Sequence, residues 1–149
     1  MDLNHKASAA GFSEVLIKAP ISLVWQILAD LKKWTSWNPV VRKVDVTGAT
    51  DAGTVFRWKA GSVSIVSKLD ELLLPRRMVW SGKTFGINAI HVWEVKEENG
   101  DTRVKTEESF EGLIVWAFSR TMRKMLAYSL KQKIGVLKAE SDRHAKMAK

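Results

Sequence analysis

The sequence contains no cysteine, which excludes disulfides and thiolate chemistry and suits a reducing compartment, so the cytoplasm is the expected location. It holds only three histidines, His5, His91 and His144, scattered without the paired spacing of a zinc site. Neither a metal nor any other cofactor is expected. No run reaches the roughly 18 consecutive apolar residues of a spanning helix, and the polar start from Met1 to Gly11 has no signal-peptide core. Glycine-rich phosphate loops are missing too: Gly82 and Gly86 lack the following lysine and helix start. No serine stands in a nucleophile elbow, so nucleophilic catalysis has no support.

What the chain does have is a net charge of +8, unevenly placed. Residues 113–149 hold nine Lys or Arg against two acids, and residues 1–112 hold fifteen against fourteen. Leu113 to about Glu140 is also the only segment periodic enough for one extended helix. On a helical wheel Phe118, Met122, Met125, Leu126, Leu130 and Leu137 cluster around Val115, while Arg120, Lys124, Lys131 and Lys138 take the opposite side. That basic face is either a solvated outer surface or a seat for anionic lipid. Only Trp116 and Tyr128 lie near it, too few aromatics for nucleic acid, which is not expected as a partner.

Before this helix the punctuation is that of a sheet. Phe12 to Ala19 reads as a strand, stopped by Pro20, which suits the first turn of a helix from Ile21 to Leu31. A broken helical turn follows from Lys32 and ends at Asn38-Pro39. Six strands are then expected: Val40–Val46, Thr54–Ala60, Ser62–Leu72, Arg77–Lys83, Ile87–Lys96 and Thr102–Phe110. Asn99-Gly100 marks a tight hairpin between the last two. The 149 residues fit one domain, 11–141, between a flexible leader at 1–10 and a basic tail at 142–149.

Seven tryptophans suit either the wall of a cavity or the packing of a large twisted sheet. Alternation turns Ala89, His91, Trp93 and Val95 inward, although Ile90 and Val92 then lie on the wet side. In the neighbouring strand Val104, Thr106, Glu108 and Phe110 point inward. His91 and Glu108 therefore share one concave face. A buried carboxylate wants a cation, a histidine or water. The pair either performs acid–base chemistry or is structural, satisfied mutually or by Arg57 or Arg77.

Ala19-Pro20-Ile21-Ser22-Leu23-Val24-Trp25, then Asp30, Trp34 and Trp37-Asn38-Pro39, resembles the opening of the START-like helix-grip superfamily (SRPBCC), nearest its polyketide cyclase/dehydrase and lipid-transport branch. Gly53-Thr54, Arg77 to Trp80 with Gly82, His91-Val92-Trp93-Glu94, and Thr102-Arg103-Val104 leading to Glu108, Phe110 and Gly112 extend the likeness over about residues 12–140. The resemblance implies an α+β helix-grip fold: a seven-stranded antiparallel sheet wrapped around the long C-terminal helix, with two short helices after the first strand. It also implies an apolar guest between sheet and helix, such as a lipid, polyketide or quinone. Trp25, Pro39, Gly53 and Gly112 match as scaffold, and no signature of the aromatase or cyclase enzymes carries across.

The expected function is therefore intracellular binding or carriage of an apolar small molecule. The lining is expected to comprise Trp25, Phe56, Trp58, Met78, Trp80, His91, Trp93, Glu108, Phe118 and Met122. A cavity of several hundred cubic ångströms should lie between sheet and helix, within the ~300–1,000 Å³ usual for such sites. The alternative is a cyclase or dehydratase with His91 and Glu108 as catalytic acid–base pair. An anionic membrane surface is the further partner only if the basic helix face is not simply solvated, and the chain is a monomer or, through its exposed sheet edge, a homodimer.

Overall fold

A computed structural model of the chain describes residues 2–147. Strand β1 (Ala9–Ile17) leads into α1 (Ile21–Ala29), a single 3₁₀ turn (Leu31–Lys33) and the short α2 (Trp34–Trp37). Six strands follow: β2 (Val41–Asp45), β3 (Val55–Ala60), β4 (Val63–Leu73), β5 (Arg77–Thr84), β6 (Ile87–Glu98) and β7 (Asp101–Glu111). Helices α3 (Leu113–Ala117) and α4 (Ser119–Met147) complete the chain. The strands form one antiparallel sheet in the order β1-β7-β6-β5-β4-β3-β2, the helix-grip arrangement expected from sequence.

Local chemistry explains most boundaries. Pro20 precedes α1 in an extended conformation, and Val24, Trp25 and Leu28 turn that helix's apolar side inward. Asn99 and Gly100 both take positive φ, 53° and 84°, which the tight β6–β7 hairpin requires. Beside β1, α4 comes close at Gly11, where a Cβ would make ordinary van der Waals contact with Leu130 and Leu126 at 3.4 and 3.7 Å. The helix lies over the β1 end of the concave face. The remainder of that face is covered by α1 and α2 or left as a cleft.

Three features depart from the sequence reading. First, β1 starts at Ala9 rather than Phe12, because Ala9 and Ala10 pair with Phe110 and Ser109 and Ala9 packs beneath Val115 and Leu130. Ahead of it, Leu3 packs with Val79 and Val92 on the convex face, and Asp2 pairs with Arg77, which also holds Glu71 and Glu94. Val92, read as facing water, is thus covered by the start of the chain. Second, the long helix is broken at Phe118 (φ −117°, ψ 35°). The break resets the helical phase, so Val115 turns inward while Phe118 faces solvent, contrary to its place on a continuous wheel. Third, α4 runs on to Met147, so residues 142–147 of the basic tail are helical. Met1 of the leader and Ala148 and Lys149 of the tail lie outside the described residues.

The main core packs α1, the 3₁₀ turn and α2 against strands β1 to β7 and the far half of α4. At its centre Trp34 meets Phe56 and Trp58 edge-on, with centroids 5.9 and 5.8 Å away, and lies 5.2 Å from Trp80. Its indole N–H donates to the Leu28 carbonyl at 2.9 Å, which closes the end of α1 onto α2.

A charged cluster at the floor of an apolar cleft

Cross-strand register builds the site. Gly11 faces Glu108, Glu108 faces His91, His91 faces Trp80 and Trp80 faces Leu69, one row across the concave side of β1, β7, β6, β5 and β4. The imidazole of His91 is buried between two indoles, 4.5 Å from Trp80 and stacked at 5.3 Å on Trp93. Its Nε2 lies 2.7 Å from the Thr106 hydroxyl, and its Nδ1 lies 3.2 Å from Glu108 Oε2. The latter is a close charge contact but does not meet hydrogen-bond geometry. On its other oxygen, Glu108 accepts a hydrogen bond from Lys133 Nζ of α4 at 3.3 Å.

The electrostatics follow from burial and from this order of charges. Burial alone would raise the Glu108 carboxyl, yet Lys133 and His91 together hold it at about 2. Burial lowers the His91 imidazole; Glu108 works against that and Lys133 with it. At neutral pH the cluster is therefore a carboxylate between an ammonium and a neutral imidazole. With Nδ1 protonated toward Glu108, Nε2 accepts from Thr106.

Two spaces meet at this cluster. A cleft of about 260 Å³ opens between the sheet and α4, walled by Trp58, Ile65, Trp80, Ile87, Phe110 and Met125, with Glu108 and Lys133 at its floor. A smaller cavity of about 40 Å³ lies toward α2, bordered by Trp34, Trp37, Trp58, Trp80, His91 and Trp93, again with Lys133. Trp58, Trp80 and Lys133 border both. The indole N–H groups of Trp37 and Trp93 are buried without a protein acceptor.

The structure brings Trp58, Trp80, His91, Trp93 and Glu108 of the expected lining to these two spaces. Trp25, Phe56 and Met78 lie instead in the solid core, and Phe118 is exposed, a consequence of the helix break. Met122 packs beside Val115 and Leu126, away from the cleft, and Met125 takes the place on it. The cleft and the inner cavity, about 260 and 40 Å³, lie at the lower end of the several hundred cubic ångströms expected, and Trp34 packs against Phe56, Trp58 and Trp80 beside the smaller of the two. Neither Arg57 nor Arg77 reaches Glu108; its cation is Lys133.

Lys133 was missed, although the sequence carries a sign of it. Eighteen residues on from Val115, at 100° per residue, the wheel returns to its starting angle, so Lys133 sits in the middle of the apolar stripe. Among the described residues no group of three or more His, Asp or Glu is placed to hold a metal ion. No helix among them is long and apolar enough to cross a membrane.

Comparison with known proteins agrees with this architecture. Residues 12–142 match the family described as polyketide cyclase/dehydrase and lipid transport. A hypothetical protein from Helicobacter pylori is similar in structure, with a TM-score of 0.79 at 20% identity over 92% of this chain and 90% of that one. Zhui aromatase/cyclase from Streptomyces sp. R1128 superposes with a TM-score of 0.76 at 17% identity, over 90% of this chain and 93% of its own. A START superfamily protein from Mycobacterium smegmatis gives 0.70 at 11% identity, over 90% and 97%. At these identities the likeness is one of fold. No curated protein matches the sequence.

Proposed function

Because this chain belongs to the polyketide cyclase/dehydrase and lipid transport family, we propose that it is a cytoplasmic binding or carrier protein for an apolar small molecule bearing an acceptor oxygen. The observation that carries the reading is a charged cluster, Lys133–Glu108–His91, at the floor of a cleft whose walls are otherwise mostly apolar. The ammonium of Lys133 has one hydrogen-bond acceptor among the described residues and borders both spaces. The unpaired indole donors of Trp37 and Trp93 border the inner cavity or belong to its walls. A keto, phenolic or carboxylate oxygen fits these donors, and a lipid, polyketide or quinone would supply one. Its apolar remainder fits Ile65, Ile87, Phe110 and Met125.

Native mass spectrometry of protein purified from its own host tests this reading. A co-purifying apolar compound supports it, and anilinonaphthalene sulfonate should bind the emptied protein and be displaced by that compound. Protein that carries nothing and does not bind the dye would remove the proposal.

A second reading has one specific observation in its favour. His91 borders the inner cavity within 3.2 Å of Glu108, an arrangement suited to aldol-type cyclisation or dehydration with the imidazole as base. Both ring nitrogens already face protein groups, Thr106 and Glu108, so binding remains the leading reading. Turnover of a β-diketone surrogate that is abolished in His91→Gln would reverse that order.

A further inference from the structure

The strongest unexplained feature lies at the outer end of the cleft. Of the five residues of α3 only Val115 is buried, which leaves Leu113 at 83% and Trp116 at 72% exposure. Phe118 follows at 61%. The β5–β6 turn adds Phe85 at 78%. That turn abuts the start of α3 so closely that a Cβ on Gly112 would meet the Gly86 carbonyl oxygen at 2.2 Å. Val115 packs in one cluster with Ile87 and Leu126, fixing α3 across the sheet end and the first turns of α4. Large apolar side chains of this kind, grouped on one end, are uncommon on an unpartnered surface.

The charge beside them is of one sign. Arg120, Arg123 and Lys124 are exposed immediately after Phe118, and between Gly112 and Ala139 there is no acid. Glu111 stands alone at the edge of the patch. Arg120 and Lys124 enter no ion pair among the described residues, and Arg123 contacts only the Ser119 hydroxyl. Trp116, Tyr128 and the bases thus combine an apolar wedge, interfacial aromatics and phosphate-seeking cations. A protein partner would need its own acidic, concave complement; a bilayer with anionic headgroups supplies the charge, and its headgroup region admits apolar side chains anywhere on its surface.

We infer that α3, the β5–β6 turn and the first turns of α4 form a docking surface for an anionic lipid bilayer. Leu113, Trp116, Phe118 and Phe85 enter the headgroup region, and Arg120, Arg123 and Lys124 engage lipid phosphates. Met125, Ile87 and Phe110 at the cleft wall belong to the same end, so docking brings the opening to the lipid surface. The inference goes beyond the ligand reading and does not require it, since the empty protein presents the same surface.

Flotation with phosphatidylcholine vesicles, with and without phosphatidylglycerol, tests it. Binding is expected to the anionic vesicles alone, and it should be lost at about 1 M salt, where the screening length is roughly 3 Å. Each base replaced among Arg120→Gln, Arg123→Gln and Lys124→Gln should weaken partitioning roughly fivefold. Trp116→Ser should weaken it about tenfold or more, through the apolar area withdrawn. These positions are exposed, so the variants should keep the wild-type melting curve. A charge-matched control, Lys18→Gln with Arg57→Gln and Lys59→Gln, should bind within about twofold of wild type once the patch is intact. Equal loss in that control would overturn the inference, as would binding that ignores salt. So would a dimer dissociated by Trp116→Ser in a protein that leaves anionic vesicles unbound.

Discussion

Lys133 of α4 and Glu108 of β7 meet at 3.3 Å beneath an apolar cleft, tying the long helix to the last strand through an ion pair whose carboxylate is buried and whose ammonium is partly so. Such a pair is strongly destabilising to break from one side, because the remaining charge stays buried. It is far less costly to remove whole.

Lys133→Met should therefore lower stability by about 3–5 kcal/mol. Adding Glu108→Gln should restore a large part of that loss, because no uncompensated carboxylate remains. Urea unfolding of the two single variants and the double variant measures the coupling. Strict additivity of the two single effects would contradict a direct pair.

The same cluster sets the acid limit of the fold. Glu108 titrates at about 2 in the folded chain against an ordinary 4.5, so its contribution is complete above 4.5 and lost as pH falls toward 2. His91 is also depressed below its ordinary 6.5, which means the unfolded chain takes up that proton first. Stability should thus begin to decline once pH drops below 6.5, and decline further below 4.5. In His91→Gln the upper part of the decline should vanish, and in Glu108→Gln the lower part. Denaturant midpoints taken across this range read both; an unchanged profile in either variant would show that its group does not titrate as described.

Trp34 borders the inner cavity and stands at the centre of the aromatic cluster with Phe56, Trp58 and Trp80. Trp34→Ala should cost about 3–5 kcal/mol, as expected for an aromatic removed from a core. It should also enlarge the inner cavity, which the Trp34 ring borders. Anilinonaphthalene sulfonate should then bind more tightly to the variant, while its melting temperature falls. Tighter packing with no gain in dye binding would mean that the surrounding rings collapse into the space.

Gly112 has φ 137°, and a Cβ there would meet the Gly86 carbonyl oxygen at 2.2 Å. Gly112→Ala adds that collision to a backbone strain of about 1–3 kcal/mol. Gly48→Ala, at φ 78° in open space, meets the strain alone. The first variant should unfold at a markedly lower urea concentration than the second, and equal midpoints would refute the close approach.

The legible parts of the site were those that depend on alternation. His91 and Glu108 could be placed on one face because strand side chains repeat every two residues and the Asn99-Gly100 turn sets the pairing. Lys133 was readable by the same kind of periodic argument on the helix, as a cation in the apolar stripe. The break at Phe118 was not readable: no proline or glycine marks it, and it matters only through what Val115 meets. Ile90 and Val92 showed as a conflict in the sequence, and the conflict resolves only when Leu3 folds back over the convex face.

By itself the sequence determined the element order, the antiparallel sheet, the helix that it grips and the concentration of positive charge at the C-terminal end. These follow from periodicity and turn chemistry, which act over a few residues. Tertiary structure alone decided that Trp34 packs among Phe56, Trp58 and Trp80, that Leu3 covers Val92, and that Leu113, Trp116 and Phe118 stay in water. Those outcomes depend on which surfaces meet across dozens of residues, and packing between distant segments leaves no periodic trace in the chain.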